Sequence, residues 1–261
     1  MKILAFIKRD FLIEKNYRLS FFLKITGMYL YIAIFYFMGF WLDMGGANFG
    51  GGFFINIFLG IVFANLLLIP LNCFSESLRK EQLFGTFESL FLVPGNTLIL
   101  LTSASAYPLL FGFFETVFYL GALYVVVPGS NFNVILLLAG VLLGLTSMAV
   151  LGIISASFIT AFKRGDPVNF LLNACLTLLG GVFFPVKLLP GWLFNIALIN
   201  PVTHAIGIIR YSFGLGFMEP SSLKISIIYL AAFSAAGLFL AALVFKKALR
   251  YSKKTGGLGK Y

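Results

Sequence analysis

Ser75–Leu90 reads SESLRKEQLFGTFESL, sixteen residues that carry five charges: Glu76, Arg79, Lys80, Glu81 and Glu88. The fifty residues before it, 25–74, hold one charge, Asp43, and the stretch 89–162 holds only Glu115. A chain that gathers charge into one short run between long apolar runs is laid out for two solvents. The apolar runs belong in lipid, and the charged run belongs in water at the surface of the bilayer.

Composition agrees. The chain is 60% hydrophobic and 11% charged, against about 25% charged in a soluble domain. One core of 261 residues cannot bury that surplus, because a domain of this size still exposes much of its surface. The chain therefore reads as an all-α integral membrane protein. Six runs approach the ~20 residues a helix needs to cross a bilayer: 21–42, 53–74, 98–127, 133–161, 169–185 and 225–245. Pro70 and Pro108 are expected to kink their helices. The first run is longer than a signal-peptide core and has no small-x-small cleavage site, so it reads as a span.

The net charge of +10 does not point to nucleic acid, because the cations sit at the ends of apolar runs. Sixteen of the nineteen Lys and Arg residues fall on one side of the six-span layout, and only Lys187, Arg210 and Lys224 on the other. The positive-inside rule then puts both termini in the cytoplasm. Residues 1–18 repeat apolar positions with a helical period, with Ile3, Leu4, Ile7 and Phe11 on one stripe and Lys8, Arg9 and Lys15 elsewhere. This predicts an amphipathic helix in the membrane interface; a solvated leader is the plainer alternative. The organisation is an interface helix (1–18), a six-span domain (19–250) and a tail (251–261). Cys73 and Cys175 form no metal-ligand spacing and read as two buried structural thiols.

Within this layout 75–90 becomes a cytoplasmic segment between the second and third spans. Glu76 and Lys80 are i, i+4 in the favourable order. Leu83, Phe84, Phe87, Leu90 and Phe91 form an apolar stripe, and Pro94-Gly95 ends it. A short helix with a charged and an apolar face fits a docking element; it also fits a connector resting on lipid headgroups.

Other residues invite a functional reading. Glu115 lies inside the third span, where an acid costs up to about 3 kcal/mol to insert, so it should face a partner or water. It reads either as a pathway residue or as a buried acid bonded to a neighbouring hydroxyl. Asn169, Asn173 and Thr177 form one polar stripe, which either glues helices together or lines a path. Tyr29, Tyr31, Tyr36 and Trp41 offer rings that either stack on cargo or meet lipid. Leu188–Ile199 and Val202–Leu215 look helical, divided by Asn200-Pro201, so 186–215 is expected to form a re-entrant hairpin between the fifth and sixth spans. Lys187, Trp192, His204 and Arg210 lie there as exit-side candidates, although the lone His204 suits a structural role.

Two segments carry a resemblance: KEQLFGTFESLFLVP (80–94) and FFPVKLLPGWLFNIALINPVTHAIGIIR (183–210). Together with the layout they resemble the permease subunits of type 2 ATP-binding-cassette exporters. The first matches that family's Gly-Thr-x-Glu-x-Leu segment with a following proline. The second matches its Phe-Pro, Leu-Pro-x-Trp, Asn-Pro and closing Arg. The resemblance implies that 75–90 is the coupling helix docking on a separate ATP-binding subunit, with Glu76, Arg79, Lys80, Glu81, Phe84, Gly85, Thr86, Phe87 and Glu88 in that contact. It implies two such subunits, which hold the ATP and magnesium, and a second permease copy or a related one. The implied cargo is amphipathic: a lipid-linked saccharide, a lipid-like molecule or a hydrophobic drug. The implied setting is the cytoplasmic (inner) membrane of a prokaryote. The chain has no Gly-x4-Gly-Lys-Ser/Thr phosphate loop, and no catalytic, cofactor or metal site is expected in it. The rival readings are a transporter or channel that works without ATP, and, behind it, a membrane-embedded enzyme.

Overall fold

The computed structural model describes residues 2–44, 50–83, 103, 106–126, 132–162, 166–215 and 220–254. Most of them are helical, the rest being turns, bends and short irregular connections, with no strand among the described residues. The helices are α1 (Lys2–Asn16), α2 (Arg18–Met44), α3 (Gly50–Leu83), α4 (Ala106–Val126), α5 (Val134–Phe162), α6 (Asp166–Leu179), α7 (Gly191–Ala197), α8 (Pro201–Ser212) and α9 (Pro220–Lys254). A 3₁₀ turn, Val186–Leu188, precedes α7.

Among the described residues four segments are long and apolar enough to cross a bilayer: Ile55–Ser77, Ala106–Val125, Val134–Thr160 and Ser221–Ser252. The bent pair α7–α8 makes a fifth if counted as one span. The first and fifth predicted spans are represented by shorter described apolar stretches, Phe21–Ile34 and Asn169–Leu179.

The core forms around α3 and α5. Leu59, Leu66, Leu67 and Leu71 of α3 and Met148 of α5 are fully buried, together with Ile206, Ile208 and Ile209 of α8. Small residues let these helices approach. A Cβ on Gly144 would lie 2.5 Å from a Leu67 methyl and 2.9 Å from the Ala205 Cβ. A Cβ on Gly152 would lie 2.5 Å from the Pro70 carbonyl oxygen and 3.0 Å from the Leu71 Cα. Lipid is as apolar as leucine, so close backbone contact of this kind is what holds membrane helices together. Hydroxyls add to it where α5 meets α9: the Ser234 hydroxyl is 2.9 Å from that of Ser147 and 3.0 Å from that of Thr146.

Several expected boundaries move. The second span does not stop before the charged run; α3 continues as one helix through Leu83, so 75–83 is the second span's own extension and not a separate short helix. Its 34 residues reach about 50 Å at 1.5 Å each, well beyond a hydrocarbon core of ~30 Å. The third span is described from Ala106, and its expected start at 98 lies outside the described residues. The helix of the sixth predicted span, α9, runs on to Lys254, past the expected start of the tail. Cys73 is buried, but Cys175 is exposed, so only one of the two thiols is interior.

The fifth span changes most. Helix α6 has 14 residues, about 21 Å, and ends at Leu179 where 185 was expected. Gly181 then takes φ +66°, a left-handed conformation that favours glycine. The early stop is tolerable because its loose carbonyls find side-chain donors on and beside α8. Asn200 donates from Nδ2 to the Leu176 carbonyl at 2.9 Å, and Thr203 donates to Leu179 at 3.2 Å. Non-helical backbone at membrane depth survives only when buried in protein and satisfied in this way.

Candidate functional site

The described part of the charged run, 75–83, is the C-terminal end of α3 as described. Glu76 and Arg79 are exposed on α3, and the backbone of Lys80 and Glu81 continues the helix. Phe84, Gly85, Thr86, Phe87 and Glu88 lie outside the described residues, as do the side chains of Lys80 and Glu81.

One turn inward, α3 changes from surface to seam. Asn173 of α6 donates from Nδ2 to Asn72 Oδ1 at 2.7 Å and to its own Asn169 carbonyl at 2.9 Å. The buried Ser75 hydroxyl donates to Ser155 of α5 at 3.1 Å, and Ser155 donates to Asn169 Oδ1. Thr177 donates to the Asn173 carbonyl at 2.7 Å. The predicted stripe is thus real, and it faces α3 and α5. Its polar groups satisfy one another, which is how amide and hydroxyl side chains hold helices together in lipid. Sequence reasoning found the α6 half and missed Asn72, Ser75 and Ser155. An asparagine inside an otherwise apolar run was the signal for Asn72.

Glu115 is half-buried and has a hydroxyl partner on its own helix. Tyr119, one turn along α4, donates to Glu115 Oε1 at 2.8 Å. Tyr119 packs on Tyr31 of α2 with ring centroids 5.3 Å apart, and Tyr29 packs edge-on to Phe118 at the same separation. The α2–α4 contact is therefore aromatic, with Tyr29 still 60% exposed. The side chain of Tyr36 lies outside the described residues.

The exit-side candidates divide in two. Lys187 and Trp192 are exposed. His204 and Arg210 are buried in α8 and act as internal struts. Arg210 donates to the Gly181 carbonyl at 2.8 Å, to Val182 at 2.9 Å, and to Asn56 of α3 from Nε at 3.2 Å and from a terminal nitrogen at 2.9 Å. One guanidinium fork therefore ties the end of the α6 turn to α3. Its neighbours leave no room for side chain: a Cβ on Gly60 would lie 2.2 Å from the Val182 oxygen. His204 Nε2 lies 2.8 Å from the Leu198 carbonyl, which can only accept, so Nε2 carries the proton and the Ser226 hydroxyl, 2.9 Å away, donates to Nδ1. With Tyr229 donating to the Ile199 carbonyl at 2.5 Å, this fixes the bend between α7 and α8, whose axes turn by 84° at the predicted Asn200-Pro201 break. Asn200 caps α8 by accepting from the Val202 amide at 3.0 Å, with Pro201 at the first helical position.

A third junction was not expected from sequence. Glu14 of α1 pairs with Lys24 of α2 and accepts from the Tyr107 hydroxyl of α4. The Lys24 ammonium also sits 5.1 Å from the Phe111 ring centroid. Burial alone would raise the Glu14 carboxyl, but the bonds from Lys24 and Tyr107 and the ammonium's charge outweigh it and hold the acid below its ordinary value.

A search of curated proteins finds no match to this chain. The family model described as ABC-2 type transporter matches residues 1–213, from the start of α1 to the end of α8. That stretch contains the charged run, the α3–α6 seam and the α7–α8 bend, and on it the chain belongs to the ABC-2 type transporter family, as the membrane component of an ABC transporter.

Proposed function

We propose that this chain is the permease of an ATP-driven exporter that moves an amphipathic cargo outward across a prokaryotic cytoplasmic membrane. Members of this membrane family are permeases and work with separate ATP-binding subunits. Two such subunits, carrying ATP and magnesium, would serve a pair of permeases, here read as a homodimer. Six spans with both termini in the cytoplasm, and a re-entrant α7–α8, complete the reading.

The observation that carries it is the continuity of α3. The helix that bears the charged run also supplies the most buried residues of the bundle. No loop separates Glu76–Glu81 from Asn72 and Leu71 in α3, so a push at the charged end would reach them through continuous helix, with Pro70, where a helix hydrogen bond is missing, just beyond. Closure of an ATPase pair against this end would therefore move the core directly. The residues from Glu76 to Glu88 form the docking contact in this reading, with Phe84 and Phe87 as its apolar anchors.

The test is affinity purification of a tagged chain from its native membrane in mild detergent, followed by mass spectrometry and an ATPase assay. A phosphate-loop protein should co-purify and hydrolyse ATP, and Glu81→Lys with Glu88→Lys should abolish that association while the chain still inserts. Recovery of the intact chain without any ATPase, under conditions that retain other such complexes, would overturn the proposal.

A further inference from the structure

The junction of α1 and α2 holds a feature that neither the coupling end nor the α3–α6 seam uses. The two helices meet at Tyr17, whose amide bonds back to the Glu14 carbonyl at 3.1 Å and whose own carbonyl accepts from Phe21 at 3.2 Å. In this elbow lies an open cleft of about 530 Å³ lined by Tyr17, Leu19, Leu23 and Lys24. Tyr17, Leu19 and Leu23 are 67%, 72% and 58% exposed, too apolar to be left to water. Lys15 and Arg18 flank the elbow in sequence and are exposed. Residues 1–24 hold six cations and two acids, and both acids are engaged: Asp10 with Arg9 at 2.9 Å, Glu14 with Lys24.

We propose that this elbow is a binding site for one anionic phospholipid, with its phosphate at Lys24 and Arg18 and the upper part of its acyl chains on Tyr17, Leu19 and Leu23. Three features of the elbow select that occupant over a protein segment. The cleft is of the size that takes a drug-sized ligand. Its wall is apolar and its rim cationic, which matches an amphiphile with a negative head. The elbow joins an amphipathic helix to a span, so it lies at headgroup depth. Lys24 has donors to spare, since its ammonium carries three protons and Glu14 takes one. The lipid phosphate and the Glu14 carboxylate compete for the same ammonium, so Glu14 sets the affinity of the site.

The experiment needs no ATP-binding partner, so its failure is separate from failure of the exporter reading. The full chain in mild detergent is titrated with phosphatidylglycerol, and separately with phosphatidylcholine of the same acyl chains, and bound lipids are counted by native mass spectrometry. One phosphatidylglycerol should saturate at a concentration at least about fivefold below that for phosphatidylcholine, since one cation near an anionic head gives about that factor. Lys24→Gln should remove most of this preference, and Glu14→Gln should increase it. If Lys24→Gln does not fold, the exposed Arg18→Gln carries the test and should lower the preference. Equal binding of the two lipids, or a preference unchanged in these variants, overturns the proposal. So does displacement by millimolar glycerol phosphate, which would make the site one for a soluble phosphate.

Discussion

Asn173 and Asn72 face each other across the α6–α3 seam, Nδ2 of the first 2.7 Å from Oδ1 of the second. The pair lies one turn from Ser75, where the buried helix becomes the charged run. Leaving one amide buried without its partner costs about 1–3 kcal/mol, whereas replacing both by apolar groups of similar shape is often nearly neutral. Asn173→Leu alone should therefore destabilise the chain by about 1 kcal/mol or more, and Asn72→Leu with Asn173→Leu by less than the sum of the single changes. The difference should fall near the ~0.6–1.7 kcal/mol measured for hydrogen bonds between membrane helices. Reversible unfolding of the four proteins of the cycle in mixed micelles reads it directly.

Arg210 serves three carbonyls at once, those of Asn56, Gly181 and Val182. Arg210→Ala would strand them where no water reaches, and we expect a loss of about 2–4 kcal/mol by the same unfolding measurement. Arg210→Lys should recover only part, because an ammonium lacks the planar fork that spans several acceptors. If Lys restores full stability, the charge alone matters and the fork does not.

The Glu14 junction should depend on pH in one direction. Burial pushes its carboxyl up, but the bonds from Lys24 and Tyr107 prevail and depress it. A depressed acid contributes its stabilisation above the ordinary carboxylate range of about 4 and loses it as the pH falls through the lowered value. A nitroxide on the exposed Lys8 should be restrained at neutral pH and become mobile on acidification below that range. In Glu14→Gln the label should already be mobile at neutral pH and its response to acid should flatten.

How much of this was legible in the sequence follows the nature of each signal. Apolar runs bounded by charge place α3, α4, α5 and α9, because lipid demands long apolar helices and little else. The Asn200-Pro201 break was legible because a proline after a capping asparagine has one local meaning. The end of α6 was not legible. It depends on Asn200, Thr203 and Arg210, 24 to 29 residues further on, supplying donors to its carbonyls, and apolar content past Leu179 gives no hint of that. The unbroken run of α3 through Ser75 was missed for the opposite reason: a change of solvent was read as a change of element. The structural role of His204 was legible in its isolation from any other metal ligand, but that of Arg210 was misplaced because a lone cation near a predicted boundary reads as exposed, while its carbonyl partners are backbone atoms that every residue has.

The continuity of α3 gives the sharpest test of how the charged run acts. Leu78 lies between Asn72 and the charges at Arg79–Glu81, inside the helix. Leu78→Pro would remove a helix hydrogen bond and clash with the preceding turn, at a local cost of about 3 kcal/mol, while leaving every charged residue of the run in place. Leu78→Ala keeps the helix. Cys73, buried one residue past Asn72, is a native reporter of motion there once the exposed Cys175 is replaced by alanine. In the assembled complex, trapping with ATP and vanadate should change the rate at which a maleimide labels Cys73, in the wild-type sequence and in Leu78→Ala. In Leu78→Pro the ATP-binding subunits should still co-purify, but the nucleotide should no longer alter the labelling of Cys73. An unchanged nucleotide response in Leu78→Pro would mean that the motion reaches the core by some route other than the shaft of α3.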